Sequence, residues 1–222
     1  MFRDAALMAG KDLRIEMRSR VAVNQILPVA VLILLLFGFA LDPDSPVLER
    51  ATPGLFWVAV LFVTVLAVER SFSLEAADGV RDALRLSGLH PGGIFLGKFA
   101  ALAVQLAAVQ VVLLIGVMVL FGRDLAGHLL LVATALAATA GIAAAGTLYG
   151  VLAAGLRVRE TLLPLLLLPV LAPVLIAATR AFETALDGVP SDGWPWFNLL
   201  AVFALTYTGF GILAFGPLLE DS

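Results

Sequence analysis

Phe99–Phe121 reads FAALAVQLAAVQVVLLIGVMVLF and carries no Asp, Glu, Lys, Arg or His. A helix rises ~1.5 Å per residue, so a stretch of this length crosses the ~30 Å hydrocarbon core of a bilayer. Backbone immersed in lipid must satisfy its own hydrogen bonds, and one uninterrupted segment does so only as a helix. The same reading holds on either side. Val21–Leu41 and Ala51–Val68 precede this stretch, and Leu129–Leu156, Thr161–Thr179 and Phe197–Gly216 follow it; all are free of Asp, Glu, Lys, Arg and His. Residues 1–222 therefore read as one all-α membrane domain of six spans. Pro53 suits the first turn of the second span, where a missing N–H costs nothing. Val21–Leu41 exceeds the ~7–15 residues of a signal-peptide core, so it reads as a retained helix.

Composition agrees. Hydrophobic residues make up 61% and charged residues 14% of the chain, with a mean hydropathy of +1.04. A water-facing globular surface needs more charge than that. The net charge is −3, which gives no basic face for nucleic acid. The absence of cysteine removes disulfides, thiolate metal sites and cysteine nucleophiles. His90 and His128 are isolated in the sequence and read as interfacial or solvated side chains. With no HxxxH and no carboxylate dyad, neither a metal site nor a catalytic site is expected.

Orientation follows from the short loops. Arg3, Lys11, Arg14, Arg18, Arg20, Arg70, Arg81, Arg85, Lys98, Arg157 and Arg159, eleven of the 14 basic residues, fall on one side. Arg50, Arg123 and Arg180 fall on the other. Both termini are thus expected in the cytoplasm of a bacterium, with the spans in its inner membrane.

Two cytoplasmic segments have amphipathic spacing. In 1–20, Phe2, Ala5, Ala6, Ala9, Leu13 and Met17 share a helical stripe opposite Arg3, Lys11, Arg14 and Arg18, as in a helix lying on the bilayer. In 78–90, Val80, Ala83, Leu84 and Ser87 share a face, Arg81, Asp82 and Arg85 lie off it, and Gly88 and Pro91 end the segment.

Ion-coupled transporters usually need charged or ionisable groups at membrane depth, and these spans offer no Asp, Glu, Lys, Arg or His. Gly92, Gly97 and Lys98 imitate the first positions of a phosphate-binding loop. However, Phe99 stands where Ser or Thr should hold Mg²⁺, and no strand precedes. This chain has no nucleotide site of its own, and Lys98 reads as a charged anchor at the inner end of the third span. Pro164, Pro169 and Pro173 interrupt the fifth span; each removes a backbone donor and displaces a carbonyl. They fit either a helix that bends during a cycle or a static kink. Gly146 and Gly150 have GxxxG spacing, suited to close packing within the chain or between subunits.

Pro53–Phe72 (PGLFWVAVLFVTVLAVERSF), its continuation from Ser73 to Lys98, Lys11–Arg20 and the helix LLPLLLLPVLAPVL at 162–175 together resemble the haem exporter protein B family of cytochrome c maturation, CcmB. The likeness is weakest over Leu41–Ala51 and after Thr179, and Gly88 stands where the family pattern has proline. The resemblance implies an ABC-2-type permease bundle, the membrane subunit of an ATP-binding-cassette transporter that serves haem delivery to a periplasmic chaperone, either with haem as its substrate or with ATP releasing the loaded chaperone, and with ATP bound by a separate CcmA-like subunit. It also implies CcmC-like and CcmD-like membrane partners and two copies per complex. On this resemblance 78–90 is the coupling helix that docks on the ATPase, and Glu75, Asp78, Gly79, Val80, Arg81, Leu84, Arg85 and Leu89 are its coupling residues. The competing readings are a permease of the same type for a drug, lipid or polysaccharide, and a membrane scaffold that transports nothing.

Overall fold

Local signals set the helix ends in the computed structural model, which describes residues 1–20, 22–41, 45–76, 88–122, 127–154 and 159–221. The helices are α1 (Phe2–Ser19), α2 (Leu27–Ala40), α3 (Pro46–Ala76), α4 (Pro91–Phe121), α5 (His128–Ala154), α6 (Arg159–Leu186) and α7 (Trp194–Asp221). Five segments are long and apolar enough to cross a membrane: Pro46–Ser73, Pro91–Phe121, His128–Ala153, Thr161–Leu186 and Pro190–Leu218. A sixth is reached if α1 and the helix after it, bent by 57°, count as one span.

The expected first span, Val21–Leu41, is a π-helical turn at Ala22–Ile26 followed by α2. Pro28 lacks the N–H that would bond the Asn24 carbonyl, and its ring pushes that carbonyl aside, so the turn widens just ahead of it. Arg20 ends α1 in the left-handed region, φ 54°, and separates the surface helix from the span.

The second span corrects the reading of Pro53. Ser45 Oγ accepts from the Leu48 N–H at 3.2 Å, and Pro46 opens α3. Pro53 therefore lies inside the helix rather than in its first turn. The serine cap and the fixed φ of Pro46 start the helix earlier than hydropathy alone indicated. The fifth span also runs on, past Thr179 to Leu186, with an Arg180–Glu183 pair at 2.8 Å. α6 passes through Pro164, Pro169 and Pro173 unbroken. Its core-facing stripe is Leu163, Leu167, Leu171, Val174 and Ala178, while Pro169 and Pro173 are exposed.

Lipid tails are as apolar as leucine, so packing rather than solvent exclusion holds such a bundle together. α5 does this with small residues. It packs on α3, α4, α6 and α7, and Ala143, Ala144 and Ala145 are fully buried. A Cβ on Gly146 would press on Val68, and one on Gly150 would enter the Phe72 ring. The GxxxG pair is thus a seam with α3 inside the chain. Gln110 of α4 donates to Thr139 Oγ1 of α5 at 2.8 Å, a buried bond between spans. Away from the basic end, Phe56, Trp57 and Phe182 join α3 to α6 with ring centroids 4.9–5.4 Å apart.

Candidate functional site at the basic end

The first turns of α4 contain Gly92, Gly93 and Gly97. Missing side chains at i and i+4 leave a groove on one helix face. α1 lies in it. A Cβ on Gly93 would sit 2.8 Å from the Met1 carbonyl oxygen, and one on Gly97 would sit 2.8 Å from the Ala5 carbonyl oxygen and collide with Met8. Met8 is correspondingly buried, at 3% exposure.

Polar contacts fix the register. The His90 backbone N–H donates to Asp4 Oδ2 at 3.3 Å, and the Met1 ammonium lies 3.2 Å from the same oxygen. The first of these bonds, reinforced by the second, holds the Asp4 carboxyl below the usual carboxylate range. His90 also caps α4, its Nδ1 accepting from the Gly92 N–H at 3.1 Å. Two turns along α1, Asp12 Oδ2 lies 3.7 Å from Lys98 Nζ, and Asp12 Oδ1 lies 3.1 Å from Lys11 Nζ. Asp4, Met8 and Asp12 follow the i, i+4, i+8 spacing of one helical face.

The bundle takes a different face of α1 from the apolar stripe expected to meet the bilayer. Phe2 and Met17 of the proposed apolar stripe are exposed, 79% and 70%, and the face that packs on the bundle centres on Asp4, Ala5, Met8 and Asp12. The glycine groove accepts the thin Ala5 and Met8 side, and a buried ammonium requires a carboxylate beside it.

Lys98 is 3% exposed and points into the protein. Its Nζ stands 4.6 Å from the centroid of Phe72, in cation–π range. Phe72, near the end of α3, in turn occupies the space left by Gly150 of α5. One aromatic ring and one ammonium thereby connect α1, α3, α4 and α5. Gly92–Lys98, which imitated a phosphate loop, is helix throughout, and its lysine is engaged with Asp12.

Of the residues expected to couple to an ATPase, Asp78, Gly79, Val80, Arg81, Leu84 and Arg85 lie outside the described residues. Glu75 is in the last turn of α3, and Leu89 is half-buried just before α4. The chain leaves α3 at Ala76 and rejoins the described structure at Gly88, φ 70°. Both roots of 77–87 therefore adjoin the clamp: Phe72 on one side, His90 and Gly93 on the other. Pro164, Pro169 and Pro173 stand apart on α6, which packs on α3, α5 and α7. Sequence reading missed Asp4, Met8, Asp12 and Gly93. The matching signal was the i, i+4 spacing of Gly93 and Gly97 set against that of Asp4, Met8 and Asp12. Among the described residues no group of three or more His, Asp or Glu side chains is placed to hold a metal ion.

A bundle of apolar spans with a surface helix seated in the groove of one of them defines an all-α membrane permease. The chain belongs to the CcmB protein family, whose family model matches residues 4–220 and so takes in the clamp from Asp4 to Lys98. It is 32% identical over 217 residues to the heme exporter protein B of Pseudomonas aeruginosa, covering 94% of each chain. It is 31% identical over 205 residues to that of Haemophilus influenzae, covering 92% of this chain and 93% of the relative. With that of Escherichia coli K12 it shares 31% identity over 183 residues, covering 82% and 83%.

Proposed function

We propose that this chain is the permease subunit of an ATP-binding-cassette complex that serves haem export or delivery in c-type cytochrome biogenesis. It lies in the bacterial inner membrane with both termini and the 77–87 segment in the cytoplasm, as the bias of basic residues supports. ATP is hydrolysed by a separate CcmA-like subunit, two copies of this chain meet an ATPase pair, and CcmC-like and CcmD-like proteins complete the complex. The segment 78–90 carries the coupling helix ahead of Gly88, with Val80 and Leu84 entering a groove of the ATPase and Arg81 and Arg85 at its rim, the helix-in-groove mode of recognition. Glu75, Asp78, Gly79 and Leu89 frame that helix.

The observation that carries this reading is the pair of anchored roots. A segment that receives force from an ATPase moves a membrane bundle only if its ends are fastened to the spans. Here Phe72 fastens one end, and the His90–Asp4 bond with the Gly93 contact fastens the other. Haem as the cargo rests on family membership.

Deletion of the gene tests it. The expected result is loss of covalently attached haem from c-type cytochromes with b-type cytochromes retained, read on haem-stained gels of membranes. Normal c-type staining, with no second copy of the gene, overturns the haem reading in favour of another cargo. An ATPase activity in the purified complex that is indifferent to this chain overturns the transporter reading in favour of a scaffold.

A further inference from the structure

We propose that a cavity between α1, α3 and α4 holds one phospholipid of the leaflet at the basic end, with a primary-ammonium headgroup. The cavity measures about 230 Å³. Its inner wall is mostly apolar, formed by Ala67 and Ser71 of α3 and Ala101 and Leu102 of α4, with Gln105 beside them. Its rim on α1 carries Lys11, Asp12 and Glu16 alongside the apolar Leu13 and Ile15. The cavity shares Asp12 with the clamp, while Ala67, Ala101, Leu102 and Gln105 take no part in it.

Gln105 decides the chemistry. Its Nε2 is buried and has no hydrogen-bond partner among the described residues. A buried donor left unmet costs about 1–3 kcal/mol, so the space calls for an acceptor. Gln105 lies seven residues along α4 from Lys98, about 10 Å deeper at 1.5 Å per residue. A long side chain on a helix leans back toward the helix N-terminus, and this one lines the same cavity as Lys11, Asp12 and Glu16 of α1, which brings the amide up toward the level where a phospholipid carries its ester carbonyls. An ester carbonyl accepts from the amide, and the start of an acyl chain covers Ala67, Ala101 and Leu102.

The rim selects the headgroup. Lys11 Nζ pairs with Asp12 Oδ1 at 3.1 Å, so the rim carries both signs side by side. A zwitterion matches this, its phosphate toward Lys11 and its ammonium toward Asp12 and Glu16. A net anion would add an uncompensated charge to a rim whose two carboxylates are already balanced by Lys11 and Lys98. The volume is also below the ~300–1,000 Å³ of pockets that enclose a drug-sized ligand, which disfavours a planar macrocycle.

The full-length chain, purified in mild detergent, delipidated and then offered phosphatidylethanolamine, phosphatidylglycerol or inorganic phosphate, is read by native mass spectrometry. The expected result is one phosphatidylethanolamine retained per chain, with phosphatidylglycerol retained less and phosphate not at all. Gln105→Leu should weaken retention about tenfold, the equivalent of one hydrogen bond of ~1.4 kcal/mol. Ala101→Leu, which fills the inner wall and leaves the amide in place, should weaken it too, and it decides the matter if Gln105→Leu does not fold. Equal retention in the variants and the parent, or no lipid on the parent, overturns the site. Equal retention of the two lipids overturns the headgroup assignment, and phosphate bound as well as lipid overturns the lipid itself.

Discussion

Replacing Lys98 by methionine keeps most of the stem and removes the charge, which isolates the electrostatic part of the clamp. At 3.7 Å and an effective dielectric near 20, the gross attraction between Lys98 and Asp12 is about 4.5 kcal/mol. Not all of it is lost on substitution. Asp12 keeps Lys11 at 3.1 Å and its side chain is 16% exposed, so the stranded carboxylate is partly compensated. Removing one partner of a fully buried pair costs about 3–5 kcal/mol, and with this compensation about 2 kcal/mol is expected. The readout is the opening of α1 away from α4. The chain has no cysteine, so Met8→Cys provides a single thiol at a position 3% exposed. If opening and closing are fast relative to modification, the maleimide labelling rate follows the open population. A change of 2 kcal/mol then raises the rate about 30-fold. The double-mutant cycle with Asp12→Asn isolates the pair, and the effect of Lys98→Met should shrink to a few-fold in that background. A rise of less than about threefold, or the same rise with Asp12→Asn already present, would refute the view that this ion pair holds α1 in place.

Gly97→Val should open the same contact by steric means, because its side chain meets the Ala5 carbonyl and Met8. A cost of about 1–3 kcal/mol is expected, seen as faster labelling of Met8→Cys with the thermal unfolding of the spans unchanged. Leu84→Asp should release the ATPase while the bundle stays folded, since a charge left in an apolar groove costs several kcal/mol, about 3 or more; unchanged co-purification of the ATPase places docking elsewhere. Pro169→Ala restores an N–H toward the Leu165 carbonyl and should lower ATP-coupled turnover with insertion intact. Normal turnover in that variant assigns Pro169 to a static kink.

The spans were legible because lipid imposes a length and bars charge, and Phe99–Phe121 meets both conditions with no help from tertiary context. Their ends were less so. Ser45 with Pro46, and His90 with Pro91, start helices well outside the apolar runs, since a cap depends on backbone donors rather than on hydropathy. The bundle-facing side of α1 was missed for a related reason. Hydrophobic periodicity ranks Phe2 and Met17 above Asp4 and Asp12, yet a groove of glycines selects for thinness and a buried lysine selects for a carboxylate. Neither demand is visible until α1 and α4 are placed side by side. Lys98 itself was recognised as an anchor, but its partner lies on another helix far earlier in the chain.

Under the proposed function the clamp constrains how the chain can move. Phe72 sits on Gly150 and beneath the Lys98 ammonium, and Gly93 and Gly97 leave α1 no slack against α4. The basic ends of α1, α3, α4 and α5 are therefore poorly suited to sliding past one another: each contact is a glycine pressed by backbone or a buried side chain, or an engaged buried charge. A displacement delivered to 77–87 passes to this block as a unit, and the bundle must yield where its backbone is already irregular. Among the described residues Pro53 in α3 and Pro217 in α7 each leave a single missing donor, and two larger irregularities lie outside the clamp. One is the left-handed Arg20 with the π-helical turn after it, between the clamped α1 and α2. The other is α6, where three prolines leave three missing donors on a helix outside the clamp. Irregular backbone is the softer part of a helical bundle because fewer hydrogen bonds resist bending there. Rigidity at the basic end and compliance at Arg20–Ile26 and in α6 are thus complementary requirements of one lever.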